Sequence, residues 1–235
     1  MAGLTSGGPN VDVSLLYDIN GLTRRTPDWA DRIVGLVGEY GLPLAMVLLV
    51  LWCWRGTRRQ DEAGAAESFA ALVWAPLAAG IALLVNVPLR EFVGRQRPFL
   101  RHEGLEVLAP GKTDFSFVSD HATLTMALGV GLFIADRRIG LAGIGLALVE
   151  GLFRVFMGVH YPTDVVGGFA LGTAVVLLLA PAAMALLTPM ALAVARSPRA
   201  GWLVRARGPV TARPLDLPQP QTPPGALPRD NDLAA

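Results

Sequence analysis

Five long apolar runs, parted by short polar breaks, constrain this chain more than anything else in it. Crossing a bilayer's hydrocarbon core takes about 20 predominantly apolar residues in helix. The runs lie at about Ile33 to Trp54, Ala70 to Leu89, Ser119 to Ala135, Ile139 to Gly158 and Val165 to Leu187. The third is shorter and polar at its leading edge. Of the 235 residues, 52% are hydrophobic and only 17% charged, with a mean hydropathy of +0.46. A soluble chain carries nearer a quarter charged residues. The expectation is an all-α, polytopic membrane helical bundle of about five transmembrane helices.

The flanks differ in composition. Residues 1–32 include LLYDINGLTRRTPDWADRI, which mixes apolar and charged positions and reads as an interfacial helix on the membrane surface. Residues 33–190 form the transmembrane domain. Residues 197–235 are Arg- and Pro-rich, a composition that cannot bury a core, and read as a disordered tail. No segment has the character of a cleaved signal peptide. A net charge of +1, without a basic stripe and interleaved aromatics, argues against a nucleic-acid partner. Cys53 is the only cysteine, so neither an intramolecular disulfide nor a cysteine-rich metal site is expected. Gly168 and Gly172, in GxxxG spacing, suit close helix packing in lipid.

Ionisable groups at membrane depth are expensive, so their placement is informative. Three clusters stand out: REFVGRQRP (Arg90 to Pro98), FSFVSDHAT (Phe115 to Thr123) and RVFMGVHYPTD (Arg154 to Asp164). The second run ends, the third begins and the fourth ends on one side of the membrane. All three clusters therefore meet at one end of the bundle. Arg90, Arg97 and Arg154 offer guanidinium forks suited to phosphate oxygens. Ser119 adds a hydroxyl, and the amides opening the third helix, Asp120 among them, add dipole-assisted anion binding. Two of three histidines, His121 and His160, lie in the clusters. Asp164, four residues after His160, can take the Nδ1 proton and leave Nε2 free to attack. His121 can protonate the leaving oxygen and then activate water. Together these describe phosphoryl transfer through a phosphohistidine.

The three clusters resemble the tripartite signature of the type 2 phosphatidic acid phosphatase superfamily. That signature is a lysine six residues ahead of Arg-Pro, then Pro-Ser-Gly-His, then Ser-Arg, five residues, His, three residues and Asp. Here it reads Arg90, Arg97-Pro98; Val118-Ser119-Asp120-His121; and Phe153-Arg154, His160, Asp164. Eight polar or proline positions agree, counting Arg90 as the basic equivalent of lysine. Val118, Asp120 and Phe153 replace proline, glycine and serine. Asp120 brings a negative charge beside a phosphate site, so its carboxylate must point away or pair with an arginine. SDHAT and GVHYPTD look most like the bacterial undecaprenyl pyrophosphate phosphatases of that superfamily. The resemblance implies an integral membrane lipid phosphatase, hydrolysing undecaprenyl pyrophosphate without metal or other cofactor, with a lipid phosphate or pyrophosphate substrate. A phosphatidate or phosphatidylglycerophosphate phosphatase, a phosphotransferase and a non-enzymatic lipid-binding protein are the alternatives.

Other polar residues have blander readings. Glu150 precedes Arg154 by one helical turn and can neutralise it. Arg95 and Arg101 read as solvated loop charges or headgroup contacts, with Glu91 able to pair with Arg95. His102 and Lys112 read as solvated loop residues, and Glu39 has no assignment. Arg55, Arg58, Arg59, Arg137, Arg138, Arg196, Arg199, Arg205, Arg207 and Arg213 fall opposite the clusters. Arg24, Arg25, Arg32, Arg95, Arg101 and Lys112 fall on the cluster side. The positive-inside rule then puts the site on the extracytoplasmic face of the plasma membrane.

Overall fold

A computed structural model describes residues 10–204, apart from positions 59, 61, 110 and 112. Among the described residues all regular structure is helical. Helix α1 (Val11–Asn20) opens with Asn10, whose side chain accepts from the Asp12 amide. Next come α2 (Asp28–Leu36) and α3 (Leu42–Thr57), joined through a π-helical turn, Val37–Gly41, into one apolar stretch, Asp28–Thr57. Helix α4 (Glu62–Val93) leads to the short α5 (Pro98–Arg101) and a long loop. Helices α6 (Asp120–Ala135), α7 (Arg137–Phe156) and α8 (Pro162–Arg196) complete the bundle.

Four described helical stretches are long and apolar enough to cross a membrane, and α6 is the shorter fifth. Its 16 residues span only about 24 Å at 1.5 Å each. It tolerates this because it is the central helix, packed on α3, α4, α7 and α8 and buried over most of its length. Backbones approach closely along it. A Cβ on Gly129 would lie 2.9 Å from the Gly143 carbonyl carbon of α7, and one on Gly172 of α8 would lie 2.6 Å from the Thr123 carbonyl oxygen. Small residues here let helices meet by van der Waals contact. Asp136 ends α6 and caps α7, its Oδ1 accepting from the amides of Arg138 and Ile139 at 2.9 and 3.0 Å.

The N-terminal segment does more than rest at an interface. Helix α1 packs on α7 and α8 with Leu16 fully buried, although Val11 and Leu15 remain exposed. The tail assigned from Ser197 also begins inside the fold. Val204 is buried against Ala65, Ala66 and Ala195, and Trp54 Nε1 donates to the Leu203 carbonyl at 2.9 Å. Residues 205–235, with the rest of the expected tail, lie outside the described residues.

Candidate active site

Gly94, at φ +60°, turns the chain out of α4, and its amide donates to the Arg90 carbonyl at 2.9 Å. The next residues run extended, and Arg97 becomes the N-cap of α5. Ser116 returns alongside, its amide donating to the Arg95 carbonyl at 2.8 Å. This clasp drives Arg97 inward until it is 3% exposed. Its Nη1 donates to the Val159 carbonyl at 3.0 Å and lies 3.2 Å from His160 Nε2. Its Nη2 and Nε hold Asp114 Oδ1 at 2.8 and 3.2 Å.

His160 sits on the tight turn between α7 and α8. Gly158 makes that turn at φ +70°, where a Cβ would also lie 2.8 Å from the Glu106 carbonyl oxygen. His160 Nδ1 is 2.9 Å from the Ser116 carbonyl oxygen. A carbonyl only accepts, so Nδ1 carries the proton and the Nε2 lone pair faces Arg97. Burial pushes the imidazole below its ordinary pKa; Arg97 and Arg154 add to this, and Asp164 opposes it. His160 is thus favoured in its neutral form, with the unprotonated Nε2 turned toward Arg97.

Asp164 departs from the expected arrangement. Its Oδ2 is 3.7 Å from His160 Nδ1, too long for a hydrogen bond. The Ser116 carbonyl is the nearer acceptor. Fully buried, Asp164 caps α8 by accepting from the Tyr161 amide at 2.9 Å, and takes Arg95 Nη1 at 2.8 Å. Its bond to imidazole is replaced by a Coulombic one.

Ser119 and Asp120 open α6. The Ser119 side chain caps the Ala122 amide at 3.5 Å, and its own amide donates to the Asp164 carbonyl at 3.1 Å. Gly168 allows that approach, since a Cβ there would lie 2.8 Å from the Ser119 carbonyl oxygen. Asp120 pairs with an arginine, as its charge requires: its Oδ1 accepts from Arg90 Nη2 and, at 2.6 Å, from Asn86 Nδ2. Arg90 Nη1 reaches Asp114 Oδ2 at 2.5 Å. Burial pushes the Asp114 carboxyl up, but the Arg97 and Arg90 guanidiniums outweigh it and hold the group below its usual range.

Arg154 is fully buried between two acids. It donates through Nε to Glu150 at 2.7 Å, through Nη1 to Glu39 at 2.8 Å, and through Nη2 to the Gly38 carbonyl. The π-helical turn delivers both Gly38 and Glu39. Glu39 Oε1 also lies 4.0 Å from His121 Nε2, so Glu39 links Arg154 to the second histidine.

The three clusters therefore do meet at one end of the bundle, with Arg97, Asp114, Ser116, His160 and Asp164 as its centre. The three arginines expected to suit phosphate oxygens all carry carboxylate partners: Arg90 pairs with Asp114 and Asp120, Arg97 with Asp114, Arg154 with Glu39 and Glu150. Arg95 is neither a solvated charge nor a partner of Glu91; it bridges Asp12 and Asp164 and stacks on Tyr161. His102 packs edge-on against Tyr17 and Tyr161, and Lys112 lies outside the described residues. Sequence reasoning missed Asn86, Asp114 and Ser116. Asn86 had a signal, a polar residue inside an apolar run; Ser116 acts through its backbone and had none. Among the described residues no three His, Cys, Asp or Glu side chains are arranged to hold a metal ion.

Two hollows lie outside that centre. One, of about 500 Å³, is lined by Arg32, Glu39, Tyr40 and Leu108. The other, of about 450 Å³, is an apolar groove between α3, α4 and α6, lined by Pro43, Val47, Pro76, Ala79, Leu124 and Leu128.

A family model described as the PAP2 superfamily matches residues 70–197. Undecaprenyl-diphosphatase BcrC of Bacillus subtilis is 28% identical over 138 residues, 58% of this chain and 66% of that protein. A putative undecaprenyl-diphosphatase of Escherichia coli, YbjG, is 28% identical over 169 residues, 69% of this chain and 78% of that one. The solved transmembrane PAP2-type phosphatidylglycerolphosphate phosphatase from Bacillus subtilis shares the fold, with a TM-score of 0.51 at 22% identity over 75% of this chain and 88% of that one. The chain spans about two thirds of the length of the Bacillus relative BcrC.

Proposed function

The chain belongs to the PAP2 superfamily, and on that premise we propose that it is a multi-pass membrane phosphatase that hydrolyses undecaprenyl pyrophosphate to undecaprenyl phosphate and inorganic phosphate. The observation that carries this reading is the state of His160: Nδ1 anchored on the Ser116 carbonyl, Nε2 aimed at the buried Arg97. Nε2 attacks the terminal phosphorus, forming a P–N bond as the bond to the bridging oxygen breaks. Arg97 and Arg90 balance the charge on the phosphoryl oxygens, and His121 supplies a proton to the departing oxygen. Water then attacks the phosphohistidine; His121 takes its proton, the P–N bond breaks and phosphate leaves. The names of the BcrC and YbjG relatives support the prenyl pyrophosphate. The apolar groove supports a long tail, since Leu124 and Leu128 lie one and two turns below His121 on α6. The arginine bias supports an extracytoplasmic site.

The test is phosphate release in detergent from undecaprenyl pyrophosphate, phosphatidate and phosphatidylglycerophosphate. The pyrophosphate should be the best substrate, vanadate should inhibit, and His160→Ala should release nothing. Faster turnover of either glycerolipid would replace the substrate, and an active His160→Ala would remove the phosphohistidine. A wild-type protein that leaves all three intact would favour a lipid-binding role. For the face, a cysteine at His102 should react with an impermeant maleimide on intact cells; labelling only after lysis would place the site in the cytoplasm.

A further inference from the structure

Arg95 and Asp12 form a second ionic tier behind the histidine. Arg95 Nη1 donates to Asp164 Oδ1 at 2.8 Å and to Thr163 Oγ1 at 2.7 Å, while Nη2 donates to Asp12 Oδ2 at 2.5 Å. The guanidinium carbon sits 3.7 Å from the centre of the Tyr161 ring, a cation–π geometry. Asp12 has further ties to the start of α8: Oδ1 accepts from the Thr163 amide at 2.9 Å and Oδ2 from Thr163 Oγ1 at 2.7 Å. Burial pushes the Asp12 carboxyl up, but its bonds from Arg95 and Thr163 prevail and hold it low. Helix α1, which carries Asp12, is itself pinned. Tyr17 donates to the Glu103 carbonyl at 2.9 Å, and Asn20 Nδ2 to the Glu106 and Phe156 carbonyls at 2.8 and 2.7 Å.

We propose that Asp12 and Arg95 are positioning residues, and that α1 is the clamp that keeps Asp164 aimed at His160. The proposal rests on the phosphohistidine reading above. Asp164 lies too far from the imidazole to bond it, so its orientation must come from elsewhere. The Tyr161 amide fixes Oδ2, and Arg95, alone among the described charged side chains, fixes Oδ1. Asp12 and Tyr161 in turn hold the Arg95 guanidinium from two sides, with Thr163 as a further acceptor. The first helix, remote in sequence from Asp164, thereby completes the catalytic end of the bundle.

The two residues carry opposite charges, which separates positioning from mere folding. Charged groups facing His160 are Arg97 on the extended loop, Arg154 on α7 and Asp164 on α8, with Asp114 behind Arg97. Arg95→Gln removes a cation behind Asp164 and favours the imidazolium. Asp12→Asn removes an anion from the same tier and disfavours it. The experiment measures kcat, KM and the pH profile of kcat/KM for both variants and their double, on the full-length protein in detergent with undecaprenyl pyrophosphate. Expected is a fall in kcat of roughly ten- to hundredfold with KM little changed, as for misaligned reacting groups. The acid limb should move to higher pH in Arg95→Gln and to lower pH in Asp12→Asn, and the two kcat losses should not multiply in the double variant. Unshifted limbs, or losses that multiply, would overturn the proposal even in folded variants. Arg95→Lys keeps the charge and should leave the limb in place if a variant's thermal unfolding is lowered. His160→Ala, run in parallel, separates the two readings: if it stays active the mechanism has failed, and if it is dead while Asp12→Asn and Arg95→Gln behave as wild type only the clamp has failed.

Discussion

Replacing Arg154 by Met should destabilise the protein strongly, and replacing Glu150 as well should restore most of the loss. Arg154 and Glu150 are both fully buried and bonded at 2.7 Å. Deleting one member of such a pair strands the other charge in low dielectric, which costs about 3–5 kcal/mol, whereas replacing both by apolar side chains is often neutral. For a chain of 150–250 residues each kcal/mol shifts Tm by about 2–4 °C. Arg154→Met should therefore unfold roughly 6–20 °C below wild type, and Arg154→Met with Glu150→Met within a few degrees of it. Glu39, the other acid on Arg154, has a side chain 23% exposed and can turn toward water. Turnover separates stability from chemistry. In the double variant Glu39 is no longer held between Arg154 and His121, so phosphate release should stay at least tenfold down although the fold has recovered. Thermal unfolding in detergent by tryptophan fluorescence, beside phosphate release, reads both. A single variant as stable as wild type would refute the stranded-charge argument, and a double variant with full activity would make Arg154 purely structural.

Because burial, with Arg97 and Arg154, lowers the His160 pKa from 6.5, the acid limb of kcat/KM should fall below that value, and a limb at or above it would contradict the neutral, buried imidazole. Asp114→Asn removes the carboxylate that occupies Arg97 and Arg90, so vanadate should bind several-fold more tightly; weaker binding would mean that Asp114 serves chiefly to position the arginines. Gly158→Ala forces a side chain into the left-handed region, about 1–2 kcal/mol, and against the Glu106 carbonyl 2.8 Å away; activity should fall further than stability, and a variant with normal kcat would show that the turn can relax without moving His160.

The helices and the three clusters were legible because their signals are local: apolar length, polar breaks between the runs, basic and imidazole groups at fixed spacing. The features that stayed hidden are carried by contacts across the chain. Asp12 meets Arg95 from 83 residues away and Glu39 meets Arg154 from 115. No periodicity predicts such pairs. Glu39 was opaque for a further reason, because only the π-helical turn aims it at Arg154, and π turns recur at functional sites without a sequence signature. The nearer acceptor for His160 is a backbone carbonyl, which every residue has. Residues 197–204 were obscured by the Pro-rich composition of their C-terminal neighbours, which dominates any window that includes both. Trp202 and Val204 nonetheless belong with the bundle.

The paired arginines result from where they are. An arginine carried to the end of a membrane bundle and buried there must bring a counter-ion, since an unpaired charge would cost several kcal/mol. Under the proposed function, a substrate phosphate would then have to take the place of a carboxylate already bound rather than enter an open basic basin. The candidates differ in how easily they yield. Asp164, Glu150 and Asp12 are at most 11% exposed and lie on helices, and Asp120, though 42% exposed, is tied to α6 and to Asn86. Asp114 is 41% exposed, sits on a loop, and holds both Arg90 and Arg97, the latter in contact with His160. On that reading, exchange at Asp114 would leave the Arg95–Asp164 and Arg154–Glu150 pairs intact and release Arg97 and Arg90 together, with Arg97 already against His160.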